Sequence, residues 1–265
     1  MKMTPHGAIV TGAGTGIGRA IALRLAREGK RVALLDVNLD AAQEAAAAIR
    51  QAGGAAEALR CDVSAEPQVQ EAIGAALARF PDTDTLVNAV GVTSPPGMPF
   101  TANTEADWDR VFAVNVKSAF FTSKAIAPIL MKRGNGRIIN IGSIAGLIAA
   151  RPMPPYSVTK MAMLTLTRVM ARDLAEYGVT VNAVCPGFVW TELWSDDMGR
   201  LLSAAAPAGQ PQSTRDIFEG RVKELVPMRR AQTADDIAAA VAFLASEEAC
   251  NITGQSINVD GGVTI

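Results

Sequence analysis

Short apolar runs alternate with helix-like segments along the whole chain, and this alternation limits the fold more than any other feature. Helical patterns cover residues 18–29, 39–52, 65–80, 105–132, 155–177 and 234–245. Strand-helix alternation of this kind predicts an α/β fold, a doubly wound parallel sheet with helices on both faces. The predicted strands are rich in Val, Ile and Leu and end in Gly, Asn, Asp or Pro: GAIVTG, RVALLD, AEALRCDV (the weakest), TLVNAV, GRIINIGS, TVNAVCPG and QSINVDGG.

The size and charge of the chain exclude several classes of protein. Its 265 residues contain no internal repeat or long polar linker, which favours one domain over residues 1–265. A net charge of -1 gives no broad positive surface, so neither nucleic acid nor an anionic membrane is an expected partner. No apolar run is long enough to span a bilayer, and the N-terminus does not resemble a secretory signal. Three scattered cysteines predict no metal site and fit a cytoplasmic protein: Cys61, Cys185 and Cys250.

A glycine-rich segment, VTGAGTGIGRA, follows the first predicted strand. Its glycines Gly12, Gly16 and Gly18 are spaced G-x-x-x-G-x-G, which differs from the common G-x-G-x-x-G dinucleotide pattern. Glycines allow the backbone to approach a pyrophosphate closely, and the next helix offers its N-terminal N–H groups. We interpret the segment as a dinucleotide-binding loop. A strand-to-helix turn that binds nothing is the alternative.

An acidic residue ends the second predicted strand. Asp36 lies about 20 residues past the glycine loop, where a carboxylate can bind the adenosine ribose hydroxyls. A carboxylate repels a 2′-phosphate, and the residues that follow, Val37 and Asn38, carry no charge to offset that repulsion. The sequence therefore predicts NAD rather than NADP. A helix cap or a solvated strand end is the alternative role for Asp36.

A serine, a tyrosine and a lysine follow the fifth predicted strand. Ser143 ends that strand, at the edge where open parallel sheets bind ligands. Tyr156 and Lys160 are spaced i, i+4 on the next helix, so their side chains share a face. An ammonium beside a phenol favours the phenolate, so we expect Lys160 to lower the pKa of Tyr156 and make it a general acid or base. The alternative is a packed tyrosine and a solvated lysine.

Together these motifs resemble the short-chain dehydrogenase/reductase superfamily over nearly the whole chain. The family's T-G-x-x-x-G-x-G corresponds to residues 11–18, its N-x-A-G to residues 88–91, and its P-G after the sixth strand to residues 186–187. The resemblance implies a Rossmann-type fold and a catalytic set of Asn115, Ser143, Tyr156 and Lys160. It also implies cofactor contacts from Gly12, Thr15, Gly16, Ile17, Gly18, Asp36, Asp62, Val63, Asn88, Gly91, Tyr156, Lys160, Pro186, Gly187, Val189 and Thr191.

The resemblance assigns a role to each catalytic residue. Ser143 would polarise the substrate oxygen, Tyr156 would transfer the proton, and Lys160 would hold the nicotinamide ribose. Asn115 would bend its helix and hold a water molecule in a proton relay. The expected reaction is hydride transfer between NAD(H) and a secondary alcohol or ketone. Val90 departs from the family pattern, which has alanine there.

Other functions fit the sequence less well. A serine hydrolase would need glycine two residues before Ser143, where Ile141 stands, and a zinc alcohol dehydrogenase would need clustered Cys and His ligands. A 3-oxoacyl-thioester reductase of the same family stays open, although those enzymes usually prefer NADPH. A cofactor-binding sensor without turnover is the alternative outside enzymes.

The region after the sixth strand, residues 186–228, is predicted to form a substrate lid. Trp190 and Trp194 are spaced i, i+4 on an expected helical turn, and few charges lie near them. With Leu147, Ile148 and Met153, at least one of these rings is expected to line an apolar pocket, and packing of the lid is the alternative. The helix over residues 155–177 is apolar on more than one face, which predicts a homotetramer, or otherwise a dimer.

Overall fold

The computed structural model describes residues 3–94, 100–151, 153–198 and 213–265. Its centre is one sheet of seven parallel strands in the order β3-β2-β1-β4-β5-β6-β7. The predicted doubly wound parallel sheet is confirmed, including the weakest strand, β3. The strands are β1 (Gly7–Thr11), β2 (Arg31–Asp36), β3 (Ala56–Arg60), β4 (Thr85–Asn88), β5 (Gly136–Ile141), β6 (Val179–Pro186) and β7 (Ser256–Val259).

Helices connect the strands and cover both faces of the sheet. They are α1 (Gly16–Arg27), α2 (Leu39–Gln51), α3 (Glu66–Arg79), α4 (Glu105–Phe112), α5 (Ser118–Arg133), α6 (Ile144–Ile148), α7 (Pro154–Leu174), α8 (Thr214–Leu225) and α9 (Ala234–Leu244). A π-helical turn, Ala113–Lys117, joins α4 to α5, so the single helix predicted over residues 105–132 is interrupted. The short α6 and the lid helix α8 were not predicted. No described helix is long and apolar enough to cross a membrane.

The core has one layer on each face of the sheet, and alternate strand residues enter opposite layers. In β1, Ala8 and Val10 pack against α1, α2 and α9, whereas Ile9 packs on the side of α3, α5 and α7. Both layers exclude water, which explains why the strands read as continuous apolar runs rather than as alternating ones. Strand burial on both faces therefore fixes the sheet between the two helix layers.

The sheet places its functional edge at the carboxyl ends of β1 and β4. From β1 the chain runs outward through β2 and β3, and from β4 it runs outward in the other direction through β5, β6 and β7. Thr11 and Asn88 are register partners at the ends of the two central strands. Open α/β sheets bind ligands in the crevice that forms where the strand order reverses in this way. The predicted glycine loop and the predicted catalytic residues all lie at this edge.

Candidate active site

The glycine loop turns tightly between β1 and α1. Gly12 and Gly16 have positive φ angles of 62° and 53°, which L-residues with side chains rarely adopt. A Cβ atom at Gly18 would lie 2.0 Å from the carbonyl oxygen of Gly12, so any side chain there would force the loop apart. Helix α1 begins at Gly16, and its first N–H groups have no partners within the helix. The loop therefore offers the open backbone and the helix N-terminus that a dinucleotide phosphate requires.

The Asp36 carboxylate is held at the end of β2 by two backbone groups. Its Oδ2 accepts a hydrogen bond from Gly14 N at 2.8 Å, and its Oδ1 accepts one from Asn38 N at 2.9 Å. The side chain lines the cavity that begins at the glycine loop. The strand register also places Arg60 of β3 opposite Asp36, a neighbour that the local sequence did not reveal. A carboxylate fixed here suits the paired ribose hydroxyls of an adenosine.

Ser143, Tyr156 and Lys160 converge after β5. Ser143 caps α6, and its Oγ accepts a hydrogen bond from Ala145 N at 3.1 Å. Pro154 and Pro155 occupy the first turn of α7, where a missing N–H has no cost, and they set Tyr156 at the start of that helix. Burial raises the pKa of Tyr156, and a side-chain hydrogen bond with Ser143 offsets part of that rise. A hydroxyl pair of this kind can contact one substrate oxygen.

Lys160 is buried beneath the tyrosine. Its Nζ donates a hydrogen bond to the carbonyl oxygen of Ile141 at 2.9 Å and lies 5.6 Å from the centre of the Tyr156 ring. A Cβ at Gly91 would lie 3.2 Å from this Nζ, so the glycine after β4 leaves room for the ammonium. The lysine is thus fixed between the two central loops, where it can reach a ribose and the tyrosine.

The pKa values differ from the expectation for Tyr156. Burial raises the pKa of the Tyr156 phenol, and the hydrogen bond with Ser143 offsets only part of that effect. Burial also lowers the pKa of Lys160 to about 8. The prediction that Lys160 would bring the tyrosine pKa below its usual value was wrong in its net direction, because the cost of burying a phenolate outweighs the effect of the hydrogen bond with Ser143. Tyr156 is therefore a phenol at neutral pH, ready to donate a proton.

Asn115 lies in the π-helical turn between α4 and α5, so the helix is interrupted where the resemblance implied. Its amide fixes the loop after β4, since Oδ1 accepts from Val92 N at 2.8 Å and Nδ2 donates to Val92 O at 3.0 Å. Nδ2 also donates to Thr159 Oγ1 at 3.0 Å, next to Lys160 on α7. Asn115 does not line the cavity. It ties two elements of the site together.

Cys185 is a neighbour of the site that sequence reasoning did not assign. Its thiol lies under Gly142, where a Cβ would be 2.9 Å from Sγ, and it interacts with Tyr156 and Lys160. Burial raises the pKa of the Cys185 thiol to about 11. The sulfur is therefore uncharged and inert at neutral pH. The sequence feature that could have indicated its nearness to the site is its place at the end of β6, directly before Pro186.

One cavity of about 820 Å³ joins these groups. The part near β1 and β2 contains most of the predicted cofactor residues, and the part beyond Tyr156 is lined mainly by apolar residues, with Arg151 and Arg221 also in the lining. Trp194 is buried in this second part, with its ring centre 5.0 Å from that of Phe218 and 5.9 Å from that of Phe188. The predicted site residues that line the cavity are Gly12, Thr15, Gly16, Ile17, Gly18, Asp36, Gly91, Ser143, Tyr156, Lys160, Pro186, Gly187, Val189 and Thr191.

Three predicted cofactor residues do not line the cavity: Asp62, Val63 and Asn88. The Asn88 amide donates to Asn140 Oδ1 at 2.9 Å and accepts from Thr122 Oγ1 at 2.6 Å, so it joins β4, β5 and α5. These bonds give Asn88 a structural role, and its contact with the cofactor stays a prediction. Asp62 caps its own turn, accepting hydrogen bonds from Ser64, and Val63 is buried in the core.

The predicted lid is described in part, because its residues 199–212 lie outside the described ranges. Trp194 lies in a π-helical turn, Leu193–Met198, whereas Trp190 precedes it, so the expected shared helical turn is wrong. Trp190 packs on Phe218, with ring centres 5.1 Å apart, and does not line the cavity. Ile148 and Met153 line it as expected, but Leu147 does not.

The described residues of the site include the groups that a dinucleotide needs. The backbone approach at the glycine loop, the carboxylate of Asp36 and the buried ammonium of Lys160 fit the phosphates and ribose groups of NAD. Among the described residues, no group of three His, Cys, Asp or Glu side chains could hold a metal ion.

Comparisons with known proteins identify the family of this chain. A family model described as enoyl-(acyl carrier protein) reductase matches residues 12–264. The chain is 38% identical to 2-(S)-hydroxypropyl-CoM dehydrogenase 3 of Xanthobacter autotrophicus, over 96% of this chain and 95% of that protein. It is 36% identical to a 3-oxoacyl-(acyl-carrier-protein) reductase of Staphylococcus epidermidis, over 97% and 98% of the two chains.

A solved structure is also similar. The crystal structure of an NAD+-bound xylitol dehydrogenase superposes with a TM-score of 0.91 at 32% identity, over 99% of this chain and 100% of that one. Since the family model and these relatives cover nearly the full length, the chain belongs to the short-chain dehydrogenase/reductase superfamily of nicotinamide-dependent oxidoreductases.

Proposed function

We propose that this protein transfers a hydride between NAD(H) and a mainly apolar secondary alcohol or its ketone. One observation carries the proposal: a single cavity joins the glycine loop and Asp36 to Ser143 and Tyr156, and then to an aromatic wall. The nicotinamide supplies the hydride when it is bound. The apolar wall favours a substrate that binds with water excluded.

Each polar residue has a distinct part in this reaction. Ser143 would donate a hydrogen bond to the substrate oxygen and hold it beside Tyr156, whose phenol would give its proton to that oxygen as a ketone is reduced. In the reverse direction the tyrosine would take the proton of the alcohol. Lys160 would hold the ribose, and Asn115 would keep Lys160 and the loop after β4 in register through Thr159 and Val92.

A screen of substrates tests the proposal. Formation or consumption of NADH would be followed with secondary alcohols, polyols, hydroxysteroids and β-hydroxyacyl thioesters, and with the matching ketones. We expect the highest kcat/KM with a mainly apolar alcohol or ketone. A free sugar as the best substrate would show that the aromatic wall had been misinterpreted.

The similarity to a 3-oxoacyl-(acyl-carrier-protein) reductase supports a second candidate, the reduction of 3-oxoacyl thioesters. Such a substrate would place its thioester chain along the same apolar wall. Asp36 argues against NADPH, the cofactor that those enzymes usually prefer. High activity on a 3-oxoacyl thioester with NADPH would favour this candidate, and binding of cofactor with no turnover on any substrate would favour a sensor.

The cofactor preference should depend on Asp36. The unmutated enzyme should use NAD(H) well ahead of NADP(H), because the carboxylate accepts ribose hydrogen bonds and repels a 2′-phosphate. Asp36→Ala should lower the ratio of kcat/KM with NAD(H) to kcat/KM with NADP(H) by about tenfold or more. Arg60, the register partner of Asp36 on β3, is the cation that would then meet the phosphate. Steady-state kinetics with both cofactors would measure the ratio.

Arg60 supplies the control for that experiment. In the double variant Asp36→Ala/Arg60→Ala, the increase in kcat/KM with NADP(H) should be lost, while kcat/KM with NAD(H) should stay as low as in Asp36→Ala. Equal or better use of NADPH by the unmutated protein would contradict the assignment of Asp36.

Trp194 should influence the size of substrate that the cavity accepts. Trp194→Ala removes a cavity wall, so KM for bulky alcohols should rise about tenfold, and that for small alcohols about twofold. Trp190→Ala is the matched control, because its ring packs on the same Phe218 but does not line the cavity. Equal effects of the two substitutions on KM would mean that both rings only pack the lid.

We propose that the protein forms a homotetramer, with a dimer as the alternative. Helix α7 leaves Val158, Met161 and Val169 exposed, and α5 leaves Phe120 exposed, which gives each helix an uncovered apolar surface. A second copy of the chain would cover this surface. Val169→Glu should shift the assembly toward smaller species in light scattering at micromolar concentration. Val37→Glu, a substitution at an exposed apolar residue outside these two helices, should leave the assembly unchanged. A monomeric unmutated protein would refute the proposal.

We also infer a cytoplasmic location. Cys61 and Cys185 are unpaired and buried, and Cys250 is unpaired and exposed, as is usual in a reducing compartment.

A further inference from the structure

Two arginines stand at the rim of the substrate part of the cavity. Arg151 belongs to the loop between α6 and α7, five residues before Tyr156, and Arg221 belongs to the lid helix α8. Both side chains line the cavity and both residues are exposed to solvent. Two elements that are far apart in the sequence therefore bring guanidinium groups to one opening.

Neither arginine is strongly neutralised by the described part of the protein. The acidic partner of Arg221 is Glu224, at 3.7 Å between Nη1 and Oε2, and both side chains are about half exposed. Exposed pairs of this kind contribute little and exchange partners easily. No described residue forms a hydrogen bond or an ion pair with the side chain of Arg151. Both guanidiniums can therefore accept an anionic partner.

The charges that the described residues bring to the cavity are segregated. The two acidic residues among them lie toward the cofactor part: Asp36 ends β2, and Glu192 Oε2 would lie 3.3 Å from a Cβ at Gly16. The arginines instead belong to the elements that supply apolar lining residues of the substrate part, since Met153 follows Arg151 by two residues and Leu225 follows Arg221 by one turn of α8. A molecule with its reacting carbon at Tyr156 would cross an apolar region and end near positive charge.

We propose that the preferred substrate carries a carboxylate or sulfonate at the far end of an apolar body, and that Arg151 and Arg221 bind this group. This inference rests on the proposed function, since it extends the same substrate site. Arginine suits the role because its planar fork donates two parallel hydrogen bonds to either anion. The arginines thereby orient the substrate with its carbonyl toward Ser143 and Tyr156.

Matched ketones test the substrate class. At low ionic strength, 4-acetylbenzoate should have a kcat/KM about fivefold above that of its methyl ester, which has the same apolar body without the charge. The preference should decline as salt is added, because salt screens exposed charges. Equal kcat/KM values for the acid and the ester would overturn the proposal.

Variants assign the effect to the two arginines. Arg151→Gln and Arg221→Gln should each lower the ratio of kcat/KM for the acid to kcat/KM for the ester. The double variant should remove the preference for the acid, and Arg221→Lys should keep part of it. Lys223→Gln is the control, since it removes one positive charge from the exposed surface of α8 outside the cavity lining. An unchanged ratio in the double variant, or an equal loss in Lys223→Gln, would overturn the assignment.

A binding measurement separates this proposal from the proposed function. Calorimetry on the NAD+-saturated enzyme would compare the Kd of 4-acetylbenzoate with that of its methyl ester. Tighter binding of the acid that is lost in the double arginine variant would support the anion site, whether or not either ketone is reduced. A failure to reduce either ketone would count against the proposed function alone. Equal Kd values with normal reduction of the ester would reject the anion site and leave the proposed function intact.

Discussion

Tyr156→Phe is expected to lower turnover by at least about 10²–10⁴-fold, the usual contribution of a positioned general acid or base. The substitution keeps the ring, which packs with Met153, Trp194 and Phe218, and removes only the hydroxyl. Ser143 would remain to hold the substrate oxygen but would have no phenol beside it. Single-turnover and steady-state rates with NADH and a ketone would measure the loss.

The raised pKa of Tyr156 adds a pH dependence to this prediction. Because burial keeps the phenol protonated, ketone reduction has its proton donor in place at neutral pH. Alcohol oxidation needs the phenolate, so its rate should rise with pH through the alkaline range, toward the raised pKa. In the phenylalanine variant this rise should disappear from the remaining activity.

Two further variants define what the tyrosine does. Tyr177→Phe changes the only other tyrosine of the chain, which lies partly exposed after α7, and should leave turnover unchanged. Lys160→Ala should weaken both turnover and NAD binding, whereas Tyr156→Phe should leave the Kd of NAD nearly unchanged. Near-normal turnover in Tyr156→Phe would exclude this residue as the proton donor.

The sheet could be predicted from the sequence because its strands are buried on both faces. A continuous apolar run such as RVALLD has one plausible environment in a chain of this size, the centre of a covered sheet. Helix ends were predicted to within a few residues where proline, glycine or a capping residue marks them. Helix periodicity does not predict the π-helical turn at Asn115, because that turn depends on bonds to Val92 and Thr159, which are distant in the sequence.

The sequence predicted which residues come together in the site better than it predicted their pKa values. Spacing placed Ser143, Tyr156 and Lys160 together, since strand ends and helix faces follow from local pattern. The pKa of Tyr156 was not predictable in this way, because the competing effect is burial by residues from the lid and from β6. The same limit applies to Arg60, whose position opposite Asp36 follows from strand register alone.

The lid shows what local pattern cannot supply. The i, i+4 spacing of Trp190 and Trp194 suggested a helical turn, but the backbone is helical only from Glu192 onward. Both rings pack on Phe218 of α8, a partner more than 20 residues away. Which ring faces the cavity is decided by that packing and not by the spacing.

A buried charge network at the opposite end of the sheet has the second largest expected effect. Lys30 Nζ donates to Asp84 Oδ1 at 2.6 Å, and both residues are almost fully buried. The carboxylate also accepts from Thr85 Oγ1 at 2.7 Å, and its Oδ2 lies 2.8 Å from His6 Nδ1. These contacts join the start of β4 to the segments that precede β1 and β2. Asp84 is thus the common acceptor of one cation and two polar side chains.

Asp84→Asn should destabilise the fold by about 3–5 kcal/mol, because it leaves the ammonium of Lys30 buried without its counter-charge. The corresponding fall in Tm is on the order of 10 °C for a protein of this size. Denaturant and thermal unfolding of the cofactor-free protein would measure both quantities. The active site lies at the other edge of the sheet, so kcat at low temperature should change little.

The exposed pair of Arg27 and Asp235 is the matched control for this substitution. Their charged atoms lie 3.7 Å apart and both side chains are mostly exposed, so Asp235→Asn should change stability by less than about 0.5 kcal/mol. Adding Lys30→Met to Asp84→Asn removes the stranded charge and should recover part of the loss. If Asp84→Asn were no more destabilising than Asp235→Asn, or if Lys30→Met added to the loss, the buried ion pair could not be what holds β4 to the start of β2.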